Sequence, residues 1–117
     1  MNIKLVILFG SQATQKSNIS SDTDIAVLAD QFLALGQKLE LKEKLAIKLN
    51  VSEEKIDLID LWSVPPLLQH QIAQNGRLIE GQEADFIRFK VLAWKRYQDT
   101  AKFRRIREQV LNKEYAQ

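Results

Sequence analysis

The sequence predicts a small α/β (α+β) domain with a long C-terminal helix, and three observations carry that prediction. Residues 4–9 are a β-rich apolar run that stops abruptly at Gly10-Ser11. Two further short apolar runs, 22–28 and 55–62, bracket a segment whose apolar residues recur at helical spacing. Residues 84–112 contain neither proline nor glycine. The resulting order is β, β, α, β, α, α, with one small sheet.

Each element has a local cause. Leu5-Val6-Ile7-Leu8-Phe9 is continuous rather than alternating, as expected of a strand covered on both faces. Residues 11–21 are mostly Ser, Thr, Asn, Gln and Lys, the composition of a loop. Ile25-Ala26-Val27-Leu28 closes a second strand. Asp30 is placed to cap the next helix. There Phe32, Leu35, Leu39, Leu45, Ala46 and Leu49 form an apolar stripe, with Lys38, Lys42, Glu43, Lys44 and Lys48 largely off it.

Asn50 and Ser52 mark a turn, and Ile56, Leu58, Ile59 and Leu61 supply the apolar faces of a third strand. Ser63-Val64-Pro65-Pro66 opens a short helix, with proline at an early position where no amide partner is lost, and Asn75-Gly76 ends it. Phe86, Phe89, Ala93, Tyr97, Thr100, Ile106 and Val110 lie along one last long helix. The expected organisation is a domain over 1–82 and a helical extension over 83–117.

Composition narrows the chemistry. A chain of 117 residues has room for one compact domain. The absence of cysteine excludes a disulfide scaffold, a thiolate zinc site and a cysteine nucleophile. A single histidine excludes a histidine-rich metal centre, which leaves carboxylates as the metal ligands. No apolar run approaches the roughly 18 to 20 residues of a membrane span. The opening apolar stretch enters polar loop without a small-residue cleavage pattern, so the expected compartment is the cytoplasm. Net charge is only +2 but uneven: residues 1–80 hold 8 Lys/Arg against 10 Asp/Glu, and residues 81–117 hold 9 against 5.

The chemistry-bearing constellation is Gly10-Ser11, ten residues, then Asp22-Thr23-Asp24, with Asp57 on the third strand. Glycine at a strand end permits a sharp turn and close backbone approach, and Ser11 adds a hydroxyl beside exposed amides, a setting that holds phosphate oxygens. Asp22 and Asp24, one residue apart, point to one face of a strand. Carboxylates brought together repel unless a cation lies between them. Mg²⁺ suits that position, since it takes one or two carboxylates with triphosphate oxygens. A third carboxylate would admit two ions about 3.5 to 4 Å apart, one at the attacking hydroxyl and one at the leaving pyrophosphate. Asp57 and Asp60 are both candidates for that third position. Lying three residues apart they face opposite sides, so only one joins the pair, and the mid-strand position favours Asp57.

Phe9-Gly10-Ser11, the spacer and Asp22-Thr23-Asp24 resemble the nucleotidyltransferase signature of the DNA polymerase beta-like superfamily, and Ile56-Asp57-Leu58-Ile59-Asp60-Leu61 is similar to its later aspartate-bearing strand. The small size and Trp62-Ser63-Val64-Pro65-Pro66-Leu67-Leu68 look most like the minimal nucleotidyltransferases, the MntA-type antitoxins paired with HEPN-domain ribonuclease toxins. The resemblance covers residues 5 to about 81. Gln12 stands where arginine is common, and Thr23 replaces a commonly apolar residue.

The resemblance implies a nucleotidyltransferase fold with a mixed sheet flanked by helices, and ATP with Mg²⁺ as co-substrate and cofactor. Gly10 and Ser11 then hold the triphosphate, and Asp22, Asp24 and Asp57 hold metal and serve catalysis. AMP passes to a tyrosine hydroxyl of the HEPN toxin, which neutralises it. Residues 83–117, where Arg and Lys alternate with Trp94, Tyr97 and Phe103, then serve to dock the toxin; direct RNA binding is the weaker reading of this basic helix. Two alternatives use the same residues differently: AMP transfer to a small molecule such as an aminoglycoside, and neutralisation by occlusion alone. Trp62 and Trp94 read as packing residues, His70 as a surface or satisfied core histidine rather than a general base, and Lys16 as a surface lysine of the loop.

Overall fold

The computed structural model describes residues 2–10 and 22–115. Four strands, β1 (Ile3–Phe9), β2 (Thr23–Ala29), β3 (Ile56–Asp60) and β4 (Arg77–Gly81), form one mixed sheet in the order β3-β2-β1-β4. β1 runs antiparallel to both its neighbours, while β2 and β3 are parallel. A parallel pair requires a crossover, and helix α1 (Leu35–Leu49) supplies it.

β1 is one of the two central strands, and Leu5 to Leu8 are buried, with at most 7% exposure. The period of two sends alternate side chains into two layers. Leu5 and Ile7 join Ala26 against α2 (Pro66–Asn75) and α3 (Glu83–Tyr115), where Ile72, Phe86, Phe89 and Ala93 close the layer. Val6 and Leu8 join Ile25 and Val27 against Leu41, Leu45 and Ala46 of α1.

The structure corrects the sequence reading at three elements. β4 was not expected, because Arg77-Leu78-Ile79-Glu80-Gly81 has only two large apolar residues and follows directly on a helix stop. Antiparallel pairing with β1 makes it a strand. α1 starts at Leu35 rather than after Asp30, and the Ala34 amide donates to the Gln37 side chain at 2.9 Å. Its buried face is Leu41, Leu45 and Ala46, while Phe32, Leu35 and Leu39 are exposed. Leu39 lies about 120° round the helix from Leu45, too far to share the sheet-facing ridge. Phe32 precedes the first turn and meets the Trp62 ring instead, with centroids 6.2 Å apart. The third strand ends at Asp60, and Leu61–Ser63 is a turn of 3-10 helix.

α3 has two halves. Phe86, Phe89 and Ala93 belong to the core, so the start of the helical extension is part of the domain. Beyond Thr100 the side chains up to Lys113 are exposed or half-exposed. The molecule measures 58 Å along its longest axis against 31 and 26 Å across.

Candidate active site

The end of β1 and the starts of β2 and β3 meet at one edge of the sheet. Phe9 pairs with Asp24 across the antiparallel ladder, and Asp24 pairs with Asp57 across the parallel one. The three residues therefore lie in one row across the sheet, about 4.8 Å apart from strand to strand. Asp24 shares the α2/α3 face with Ala26, and Asp57 shares it with Ile59. Asp22 lies just ahead of β2 and is exposed, as is Asp57, while Asp24 is half-buried.

Gly10 follows at the end of β1 with φ +75°, a conformation that favours glycine. A β-carbon at this position would overlap the Asp24 carboxylate. The glycine thus sets both the turn and the seat of the aspartate. Ser11 and Lys16 lie outside the described residues.

The electrostatics fit a cation site. The Asp24 carboxyl is raised from its ordinary value of 3.8 by burial first, then by the charges of Asp57 and Asp22. Among the described residues no three His, Cys, Asp or Glu side chains close into a ready-made metal cage. Asp24 and Asp57, with Asp22 just ahead of them, are oxygen donors that could hold part of a Mg²⁺ shell, the rest coming from water and substrate phosphates.

Asp60 has a different place. It is 2% exposed, its two carboxylate oxygens accept from the amides of Leu33 and Trp62 at 2.9 Å each, and it lies in the layer opposite Asp57. It ties the segment before α1 to the turn after β3, and it does not face Asp24.

Sequence reading missed the wall beside the edge. Phe9, Gly10, Leu68, Gln71, Ile72 and Asn75 line a cavity of about 410 Å³. Leu68, Gln71 and Asn75 are spaced by three and four along α2, which is the available signal that they share one helix face. His70 departs from the expected satisfied histidine: it stacks on Tyr97 with centroids 4.5 Å apart, and its buried Nδ1 has no hydrogen-bond partner among the described residues. Trp62 is anchored by its indole N–H, which donates to the Ala29 carbonyl at 2.8 Å, whereas Trp94 is 52% exposed and not a packing residue.

Comparison with known proteins agrees with this geometry. Residues 1–85 match the polymerase beta nucleotidyltransferase family. The chain is 35% identical over 96 residues to the protein adenylyltransferase MntA of Shewanella oneidensis, covering 82% of this chain and 67% of that one. Its fold is similar to that of a chain in a toxin–antitoxin crystal structure with AMP-PNP, with a TM-score of 0.76 and 33% identity over 95% of this chain and 88% of that one. It is also similar to a chain in the structure of the tri-AMPylated Shewanella oneidensis HEPN toxin in complex with MNT antitoxin, with a TM-score of 0.68 and 32% identity over 94% and 84% of the two chains. With a mixed four-stranded sheet and paired aspartates at the starts of its two parallel strands, the chain belongs to the polymerase beta nucleotidyltransferase family, alongside the MntA adenylyltransferases.

Proposed function

We propose that this chain is an antitoxin that transfers AMP from ATP to a tyrosine hydroxyl of a HEPN ribonuclease toxin and thereby neutralises it. The observation that carries the reading is the Asp24–Asp57 rung beside Gly10, in a chain whose relatives are protein adenylyltransferases. Asp22, Asp24 and Asp57 would hold Mg²⁺. When bound, the metal supplies neutralisation of phosphate charge and a lowered pKa at the attacking hydroxyl.

The chain's own residues do the rest. Gly10 turns the backbone at the end of β1 beside Asp24, and with Ser11 it would hold triphosphate oxygens there, as the family signature implies. The cavity beside Phe9 and Asn75 has the size to receive the nucleoside part. The tyrosine oxygen forms a bond to the α-phosphorus, the bond from that phosphorus to the bridging oxygen breaks, and pyrophosphate leaves. Asp57, exposed and next to the reacting edge, takes the phenolic proton. The added AMP puts a bulky anion on the toxin and obstructs RNA by charge and size. Among the described residues no helix is long and apolar enough to cross a membrane. Use of ATP and an RNase partner supports the cytoplasm as the place of the reaction.

The test is to co-express the chain with its toxin and weigh the toxin intact. A gain in AMP-sized steps, lost when Asp22 and Asp24 become Ala, is the expected result. An unmodified toxin in a stable complex overturns the transfer and leaves neutralisation to binding alone.

A further inference from the structure

The register of β4 on β1 carries the last turn of α2 to the catalytic edge. Arg77, the first residue of β4, pairs with Leu8, and Asn75 and Gly76 directly precede it. They therefore come beside Phe9 and Gly10, on the side of β1 away from β2. Asp57, Asp24, Phe9 with Gly10, and Asn75 then follow one another across the edge. Two strand spacings, about 10 Å, separate Asp24 from the β4 side. That leaves room for a ribose between phosphates held at Asp24 and a base held near Asn75. Phe9 and Ile72 belong to the same layer as Ala26, which is the layer Asp24 faces.

The chemistry of the cavity at that place is specific. Phe9, Leu68 and Ile72 give the flat faces of a base an apolar surface, and Gln71 and Asn75 supply its hydrogen-bonding side chains. Among the described residues no charged side chain lines it, and neither amide is engaged in a hydrogen bond. Both are exposed, one turn of α2 apart on one helix face. A primary amide carries an acceptor and a donor side by side.

We propose that Gln71 and Asn75 read the base of the nucleotide and select adenine. The proposal rests on nucleotidyl transfer at the Asp24 edge, as argued above, and names what chooses the nucleotide. Adenine presents its 6-amino donor next to the N7 acceptor. One side-chain amide answers both, its oxygen accepting from the amino group and its NH₂ donating to N7. The other amide, one turn along, accepts the remaining hydrogen of the 6-amino group. Guanine presents two acceptors at the same edge, O6 and N7, so an amide oxygen would meet O6 with no proton between them. Its usual partners are Arg and Lys, and neither lines the cavity among the described residues. Cytosine and uracil have no N7 to accept.

The test uses the full chain without toxin, in Mg²⁺, and reads binding by calorimetry. AMP-PNP is expected to bind about tenfold or more tightly than GMP-PNP, the discrimination of one good bidentate pair. 7-Deaza-ATP, in which a C–H replaces N7, is expected to bind about tenfold more weakly than ATP. Gln71→Leu with Asn75→Leu is expected to erase both differences. Its affinity for inorganic triphosphate should stay within about twofold, because Gly10 and the aspartates are untouched, and this reading also reports a folded variant. Asn75→Arg is expected to bring GMP-PNP level with AMP-PNP or above it, since O6 and N7 then meet two donors. A preference for AMP-PNP that survives in the double Leu variant overturns the proposal. So does equal wild-type affinity for AMP-PNP and GMP-PNP, or for ATP and 7-deaza-ATP. Those results leave the transfer reading standing, whereas a chain that binds neither nucleotide nor triphosphate overturns the transfer as well, so the two failures are distinguishable.

Discussion

Asp24 and Asp57 occupy the same rung of two parallel strands, so that neither can move without changing the field felt by the other. The like charge of Asp57 raises the Asp24 carboxyl, after burial and ahead of Asp22. Three residues further along β3, Asp60 is buried and fully engaged with backbone amides. Two aspartates of one strand thus have opposite surroundings, Asp57 exposed beside Asp24 and Asp60 buried among amides.

Substitution should separate them. Asp57→Asn is expected to lower AMP transfer about a thousandfold with little change in melting temperature. Asp60→Ala removes two charge-assisted hydrogen bonds and is expected to cost about 3 kcal/mol, near 10 °C in melting temperature. Transfer by folded Asp60→Ala should persist at low temperature. Thermal denaturation beside a mass-based transfer assay reads both.

The raised Asp24 carboxyl makes stability depend on pH. Between 3.8 and the raised value, the folded chain binds a proton more readily than the unfolded chain. Stability of the metal-free protein is therefore gained as pH falls through that window and lost as pH rises through it. Asp24→Asn is expected to flatten the dependence and to stabilise the metal-free protein at neutral pH. Added Mg²⁺ should raise the melting temperature of the wild type and leave the variant nearly unmoved. Melting curves over pH, with and without Mg²⁺, check the sign.

Gly10→Ala should damage the site through its neighbour. The residue sits at φ +75°, and the new methyl would occupy the space of the Asp24 carboxylate. The expected cost is about 1 to 2 kcal/mol of backbone strain, together with loss of transfer because Asp24 is displaced. An unchanged transfer rate would mean that Asp24 does not need its present seat.

Removal of residues 101–117 should leave the fold standing. Side chains from Ala101 to Lys113 are exposed or half-exposed, and such surface positions contribute within about 0.5 kcal/mol each. The truncated chain is expected to melt close to the full chain and to bind AMP-PNP with Mg²⁺, yet to lose its toxin in co-purification.

Most of the framework was legible because its signals are local. A continuous apolar run ending in Gly10, prolines at the start of α2 and an uninterrupted stretch for α3 each report on their own segment. β4 was missed because Leu78 and Ile79 become a strand only by pairing with β1. The start of α1 was misplaced because Asp30 is a good cap by residue type, while the backbone turns at Ala34 and the Gln37 side chain answers it. The exposure of Leu35 and Leu39 was equally hidden, since periodicity gives a stripe but not which part of it meets a sheet.

The sequence by itself determined the nucleotidyltransferase family, the aspartates at a strand edge and the basic C-terminal helix, because residue type, spacing and period are properties of the chain. Only the tertiary structure decided which aspartate stands opposite Asp24, since register between strands that are distant in sequence is set by packing on both faces. It alone brought Gln71 and Asn75 beside Gly10, because the passage from α2 into β4 is set against β1 by strand pairing.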